Sequence, residues 1–286
     1  MAAMAGVFET LMQLDEGSGP DEFVGPAAPE GGGRMFGGQF LAQALMAAGG
    51  TVDDDRAPHS LHAYFLRGGD VDQPIDLQVE HLRDGRSFSQ RAVAAGQDGR
   101  ECFRMMTSFH VPEPGFEFPA AVPPEVPPVE SVTLTYNEFS HDLRTLETDR
   151  WEGEGRPMDI RYVNPPGAPE GEPVLDHQLM WMRIDEDLPD DPLLHAAGLA
   201  YLADSTLVDH VMLPHGHRWQ DARLTGTSLD HAMWFHRPQR ADQWLLYDQW
   251  VEATGSARGL AGGRLVTTGG VVVATCGQEG LMRWEG

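Results

Sequence analysis

The amino-acid sequence predicts an α+β protein made of two similar units, each an antiparallel sheet curved around one long helix. Three observations carry that expectation. The order of helix, then a series of strands, occurs twice along the chain. Both helices are apolar over most of their circumference, which requires burial on all sides. The strand runs are joined by short glycine-containing turns of hairpin type.

Taken in order, MAAMAGVFETLMQLDEG reads as an amphipathic opening helix, lacking the basic start and apolar core of a signal peptide. GGGRMFGGQFLAQALMAAGG gives a glycine-rich lead into a helix from about Phe36 to Ala48. HSLHAYFLR (59–67) and the stretch 75–111 follow as strands, with a turn at Gln97-Asp98-Gly99-Arg100. Proline then concentrates in residues 112–128, where neither a regular helix nor a central strand can run. The second unit opens with a helix over 192–212 and continues with strands at 228–237 and 244–284, its turn at Thr267-Thr268-Gly269-Gly270. Aligning His62 with His231 brings Ser87 onto Ser256, which supports an internal repeat. The expected division is an N-terminal unit over 1–111, a proline-rich crossover over 112–155 and a C-terminal unit over 156–286.

Composition narrows the function classes. With 44 acidic against 20 basic residues the formal charge is −24, so the overall field repels nucleic acid and anionic membranes. No apolar run reaches the length of a membrane span. Cys102 and Cys276 are too few for a disulfide scaffold or a thiolate zinc site, and a reducing, cytoplasmic location is expected. No metal and no cofactor are expected.

The second helix carries the most informative residue. Ala197, Ala200, Tyr201, Leu207, Val208 and Val211 form an apolar stripe, and Asp204 falls in its middle. A carboxylate taken from water without partners costs several kcal/mol, so the chain must supply donors for it. A buried turn or a helix break would also use an acid there; the chemical role is the favoured reading, because a partly buried carboxylate is well suited to orienting or deprotonating water. Asp209 is expected on a different, solvated side. The first helix holds no acid, which suggests one working half and one degenerate half.

In SLDHAMWFHRP, strict alternation places Ser228, Asp230, Ala232, Trp234 and His236 on one face. Leu229, His231, Met233 and Phe235 take the other. The two histidines then point apart, so neither a shared metal nor a ligand cluster is expected, and His231 reads as a satisfied structural histidine. Ser228 stands at the strand mouth, outside any GxSxG elbow. On the last strand Val272, Ala274, Cys276 and Gln278 share a face, and an amide entering a core face needs partners.

At these residues the chain resembles the acyl-CoA thioesterase II (TesB-like) family of double-hotdog thioesterases. The resemblance is carried by FGGQFLAQAL (36–45), HSLHAYFLRGGD (59–70), HLRDGRSFSQRAV (81–93), YLADSTL (201–207), SLDHAMWFHRP (228–238), GSARGLAGG (255–263) and QEGLMR (278–283). It implies a tandem (double) hotdog fold and hydrolysis of fatty acyl-CoA to free acid and CoA. It further implies that Asp204, a hydroxyl at Ser228 and the amide of Gln278 bind and activate a water. Serine stands where some relatives carry threonine. The CoA phosphates would need cations in so acidic a protein, and Arg83, Arg86, Arg237, Arg258 and Arg264 are the candidates at strand ends and loops. The expected partner is the acyl-CoA substrate, and the double unit is expected to be able to form a homo-oligomer of unfixed number. Acyl length would depend on a tunnel beside Met46, Met105, Met106, Met212 and Met233.

Two rivals stand beside this reading. Asp191-Pro-Leu-Leu-His195 is similar to the Asp–His dyad of hydratase-type hotdogs acting on enoyl-CoA, though the dyad's asparagine is absent and the spacing one residue short. A non-catalytic acyl-CoA-binding protein is the other.

Overall fold

The computed structural model describes residues 6–27, 34–118, 126–136, 138, 156–166, 171–219, 221 and 223–285. Part of the expected crossover, 119–125 and 139–155, lies outside the described residues, as do 1–5 of the opening segment. Helix α1 (Val7–Leu11) is a short turn packed by Phe8 and Leu11. Strands β1 (Asp15–Glu16) and β2 (Glu22–Gly25) precede the long helix α2 (Gly37–Gly49). Then come β3 (Ala57–Phe65), β4 (Ile75–Asp84), β5 (Phe88–Gln97) and β6 (Arg100–His110). The second half opens with β7 (Met158–Tyr162) and β8 (Gln178–Ile184), followed by α3 (Pro192–Ala203). It closes with β9 (Leu224–Ser228), β10 (Asp230–Phe235), β11 (Leu245–Gly255), β12 (Arg258–Thr267) and β13 (Val272–Trp284).

The strands join edge to edge in the order β1-β2-β4-β5-β6-β3-β10-β13-β12-β11-β8-β7, with β9 also on β13. The two halves therefore share one antiparallel sheet, sewn at its centre by β3 and β10 from Tyr64↔Asp230 to Ser60↔Trp234. Its two wings repeat one another in mirror order, as the repeat in the sequence requires. The hairpin β5–β6 turns through Asp98 and Gly99, both at positive φ; the small side chain of one and the absence of Cβ on the other make that conformation cheap.

Helix α2 is built from alanine, leucine and glutamine, residues that lose little freedom in a helix. The NH2 of its buried Gln43 donates to the carbonyls of Leu11 (2.9 Å) and Pro26 (3.1 Å). Helix α3 starts on Asp191, whose carboxylate accepts from the N–H groups of Leu193 and Leu194, with Pro192 in the first turn. The two helices pack directly on each other. A Cβ on Gly38 would sit 2.7 Å from the Tyr201 carbonyl, and one on Gly49 2.4 Å from a Leu193 methyl. The start of α2 thus lies against the end of α3 and the reverse holds at the other end, so the pair is antiparallel. One hydrophobic core runs through both halves, from Phe8, Leu41 and Phe103 to Tyr201, Leu265 and Met282. Each such side chain contributes on the order of 1.5–3 kcal/mol by leaving water.

The second helix is shorter than the sequence pattern implies. It ends at Ala203, and the apolar stripe continues through 3₁₀ turns at Val208–His210 and Leu213–His215. Ser205 explains the break: its hydroxyl donates to the Leu202 carbonyl (2.6 Å), and the Tyr247 hydroxyl takes the Ala203 carbonyl (2.7 Å). With those carbonyls satisfied, no further turn is needed. Met106, placed beside a tunnel by the sequence, is instead 54% exposed on the outer face of the sheet.

Candidate active site

Asp204 is the first residue beyond α3 and is buried. Because the helices are antiparallel, the chain end that carries it meets the N-terminus of α2. Its Oδ1 accepts from Gln278 Nε2 at 2.5 Å, and the Gly38 backbone N–H also donates to the carboxylate. The GG at the start of α2 is there for space. A Cβ on Gly37 would lie 2.6 Å from Asp204 Oδ2 and 2.8 Å from the Phe65 ring, so only hydrogen fits. Burial pushes Asp204 up to about 7, and the Gln278 bond, the Arg156 charge and the Gly38 N–H pull the other way.

Gln278 is fully buried on the inner face of β13, which alternates through Ala274, Cys276, Gln278, Gly280 and Met282. Ser228 reaches the same face by a route that strict alternation misses. It pairs with Gly280, whereas Ala232 pairs with Gly277, so the 228–232 side carries one extra residue. This is a β-bulge at Leu229. Leu229 N–H donates to the Glu279 carbonyl (2.8 Å), and Glu279 N–H turns to the Asp230 carboxylate (2.8 Å). The bulge moves Ser228 out of phase with Asp230 and into phase with buried His231 and Met233. His231 is thus on the site face. It is also not the satisfied histidine that the sequence suggested, because neither ring nitrogen has a hydrogen-bond partner among the described residues. His62, its counterpart in the repeat, faces solvent, while His236 bonds Thr275 on the outer side (2.9 Å).

Asp204 and Ser228 open onto a cavity of about 900 Å³, walled by Met35, Phe36, Phe40, Phe65 and Leu66 on one side and by Val208, Trp219 and Leu229 on the other. Asp209, expected in solvent, lines this cavity and accepts from the Tyr136 hydroxyl. The 3₁₀ turn rotates it inward, and burial pushes it up to about 7 as well, against the pull of Tyr136 and Arg156 and with the push of Asp204.

None of Arg83, Arg86, Arg237, Arg258 and Arg264 is among the cavity-lining residues. Arg264 donates to the buried carboxylate of Asp248 (2.8 Å), Arg258 to Glu279 (2.9 Å), and Arg237 lies 3.5 Å from Glu117. The arginines that do line it are Arg34, Arg67 and Arg156. Arg34 and Arg67 sit exposed on the rim, the latter donating to the Glu101 carbonyl (2.7 Å). Arg156 lies over the Phe36 ring at 4.0 Å. The signal for the first two was their adjacency to the FGG and RGGD segments, whose glycines pack tightly against the cavity walls at Phe65, Phe36 and Phe40.

Asp191 and His195 serve the fold: the first caps α3, and the second accepts from the Ala241 N–H (3.3 Å). Among the described residues no group of three or more His, Cys, Asp or Glu converges to hold a metal ion, and no helix is long and apolar enough to cross a membrane.

The family model described as acyl-CoA thioesterase matches residues 156–281, and that described as acyl-CoA thioesterase N-terminal domain matches 25–110. The chain is 37% identical over 259 residues to mouse acyl-coenzyme A thioesterase 8, covering 87% of this chain and 80% of that one. The solved structure of acyl-CoA thioesterase II TesB2 from Mycobacterium marinum superposes with a TM-score of 0.79 at 36% identity, over 97% and 98% of the two chains. A hot-dog-fold protein from Alicyclobacillus acidocaldarius, at 21% identity, matches over 98% and 99% with a TM-score of 0.78 and shares the fold. The fold is accordingly a double hotdog, its one sheet wrapped around two central helices, and the chain belongs to the acyl-CoA thioesterase family.

Proposed function

We propose that this chain hydrolyses acyl-CoA to free acid and CoA by direct attack of a water that Asp204 deprotonates. The observation that carries this reading is the position of Asp204. It is a buried carboxylate with a pKa near neutrality, bonded by Gln278 and open to the cavity that Ser228 also lines. A base poised near the operating pH is both present as carboxylate and strong enough to take a proton.

In the proposed step, Asp204 accepts one proton of a water held also by the Ser228 hydroxyl and the Gln278 amide. The water oxygen bonds to the thioester carbon, and the carbonyl π electrons move onto oxygen. The Gly37 N–H, at the positive end of a thirteen-residue helix, is the donor for that oxyanion, the next two N–H groups being engaged by the Asp204 carboxylate and the Phe36 carbonyl. Collapse expels CoA as thiolate, which takes the proton from Asp204. The rim arginines Arg34 and Arg67 are the better placed partners for CoA phosphates, in place of the five that the sequence favoured. The free cysteines Cys102 and Cys276 support a reducing, cytoplasmic location.

The test is CoA release from short- to long-chain acyl-CoAs by wild type and Asp204→Asn. Loss on the order of 10²–10⁴-fold in a folded variant is expected for a general base. Wild-type binding without hydrolysis would favour a non-catalytic acyl-CoA-binding role, and an acyl-enzyme trapped on Ser228 would replace direct water attack.

A further inference from the structure

The side chain least explained by its surroundings is His231. It is fully buried, and continuing the β10–β13 register by one residue sets it across from Gln278. A buried polar group without a partner is destabilising, and an apolar residue of similar size would fill the space without that cost. The polar group that it approaches is Asp204: His231 Nδ1 lies 3.8 Å from Oδ1. Gln278 Oε1 is likewise buried and without a partner among the described residues. Two side chains with unused hydrogen-bonding capacity therefore flank one carboxylate oxygen.

We infer that His231 is a positioning residue for the hydrolysis, a neutral imidazole whose Nδ1–H donates to Asp204 Oδ1 when that carboxylate is ionised. The inference rests on Asp204 being the base. At 3.8 Å the contact is longer than a hydrogen bond, and a movement of under about 1 Å closes it to a normal length. Gln278 already donates to Oδ1, so His231 would supply that oxygen's second donor. The proton-accepting work is then left to Oδ2, the oxygen that lies against Gly37, itself a cavity-lining residue. Burial holds the imidazole neutral, its pKa pushed down to about 3, so it orients and stabilises the base without itself relaying a proton. The charged and titratable groups that bear on Asp204 from the packed elements are Arg156, Asp209, Tyr247 and Cys276, together with His231. Of these His231 alone approaches Oδ1 from β10. Removing a donor from the ionised form raises the pKa of the base, which moves the acid limb of the rate profile to higher pH.

The experiment is kcat and KM against pH for one well-turned-over acyl-CoA, with wild type, His231→Leu, His231→Asn and Asp204→Asn, each with its thermal midpoint. The leucine variant should lose kcat on the order of 10–100-fold, the value of a hydrogen bond to a charged group. Its KM should hold, its acid limb should rise by about one unit, and its midpoint should be unchanged or higher. The asparagine variant, which keeps an N–H donor, should recover most of the rate. A leucine variant with wild-type kcat and an unmoved limb overturns the inference. So does one that loses rate and stability together while asparagine does no better, which is the mark of a packing residue. Asp204→Asn retaining wild-type turnover would instead overturn the assignment of the base.

Discussion

Asp204→Asn has a consequence for stability that can be worked out from the site. In the unfolded chain the carboxyl titrates near 3.8, and in the fold it titrates near 7 because burial disfavours its charge. A raised carboxyl pKa means that the folded state holds the proton more tightly than the unfolded one. Its contribution therefore favours folding at low pH and is lost as pH rises from about 3.8 to about 7, the opposite of a salt-bridged acid. A shift of about three units at about 1.36 kcal/mol per unit makes ionised Asp204 a liability of about 4 kcal/mol above pH 7. The usable window starts near pH 5.5, because the sequence pI is about 4.7 and solubility falls there. Between pH 5.5 and 8.5 about 2 kcal/mol of that loss should still develop. Asparagine keeps the shape and the oxygen that accepts from Gln278 but has no charge to desolvate. In urea unfolding across this window, the variant should gain on wild type by about 2 kcal/mol as pH rises, while CoA release is lost. A stability difference that stays flat, or that swings toward wild type at high pH, would refute the reasoning. It would mean that Arg156 or another group over-compensates the burial and that Asp204 is not a poised base.

Gly37→Ala should act through geometry alone. Its Cβ would meet Asp204 Oδ2 at 2.6 Å and the Phe65 ring at 2.8 Å, so the carboxylate or the start of α2 must move. The displaced carboxylate should lower kcat at least about 10-fold, and the overlap should lower the thermal midpoint modestly, alanine's better helix propensity offsetting part of the cost, as steady-state rates and calorimetry would show. Cys276 is fully enclosed, burial pushes its thiol up to about 12, and Tyr247 lies 3.1 Å from its sulfur. With Cys102 also buried, alkylation by a bulky thiol reagent should follow the unfolding rate and leave the native enzyme active, a point that labelling with and without urea decides.

Periodicity revealed the two helices and the strand alternation, because burial on a regular element writes itself into every third or second residue. It placed Asp204 and Gln278 on core-facing positions for the same reason. It missed the bulge at Leu229, which arises when the Asp230 side chain takes over a ladder hydrogen bond from Glu279, an exchange that leaves no trace in an apolar pattern. The hydroxyl and strand-mouth position mark Ser228, yet strict alternation puts it on the wrong face and so sets His231 apart from the site. Loop context is what points to the five arginines in the sequence. What decided their state was long-range pairing, such as Arg264 with Asp248, which only the fold brings together. A helix continued through Asp209 turns that residue to solvent. Local bonds from Ser205 and Tyr247 end that helix six residues earlier.

Two antiparallel helices have two meeting points, and the sequence has treated them differently. Where α3 ends against the start of α2, the chain sets an acid and a glycine on the wall of a cavity, with a second glycine and an inward amide behind the acid. Where α2 ends, it sets Gly49 against Leu193 and then Thr51, whose carbonyl and hydroxyl both accept from Arg91 (2.9 and 2.8 Å). Arg91 is almost fully buried, and its charge is met by Asp84 at 2.9 Å. That arginine is anchored just beyond the last turn of α2, at the negative end of the helix, where a cation is favoured; the open carbonyls of that turn are taken by the N–H groups of Gly50, Thr51 and Val52 and by the Thr51 hydroxyl. A ligand would have to displace a paired guanidinium to enter there. Under the proposed mechanism, this is a physical reason for the end of α2 to carry no counterpart of Asp204. Its counterpart position is already filled in the service of stability, while its own helix lends glycines and N–H groups to the site of the other half. The division of labour therefore runs between the two ends of a helix pair more than between two domains, and separating the halves would remove a wall of the site along with half of the core.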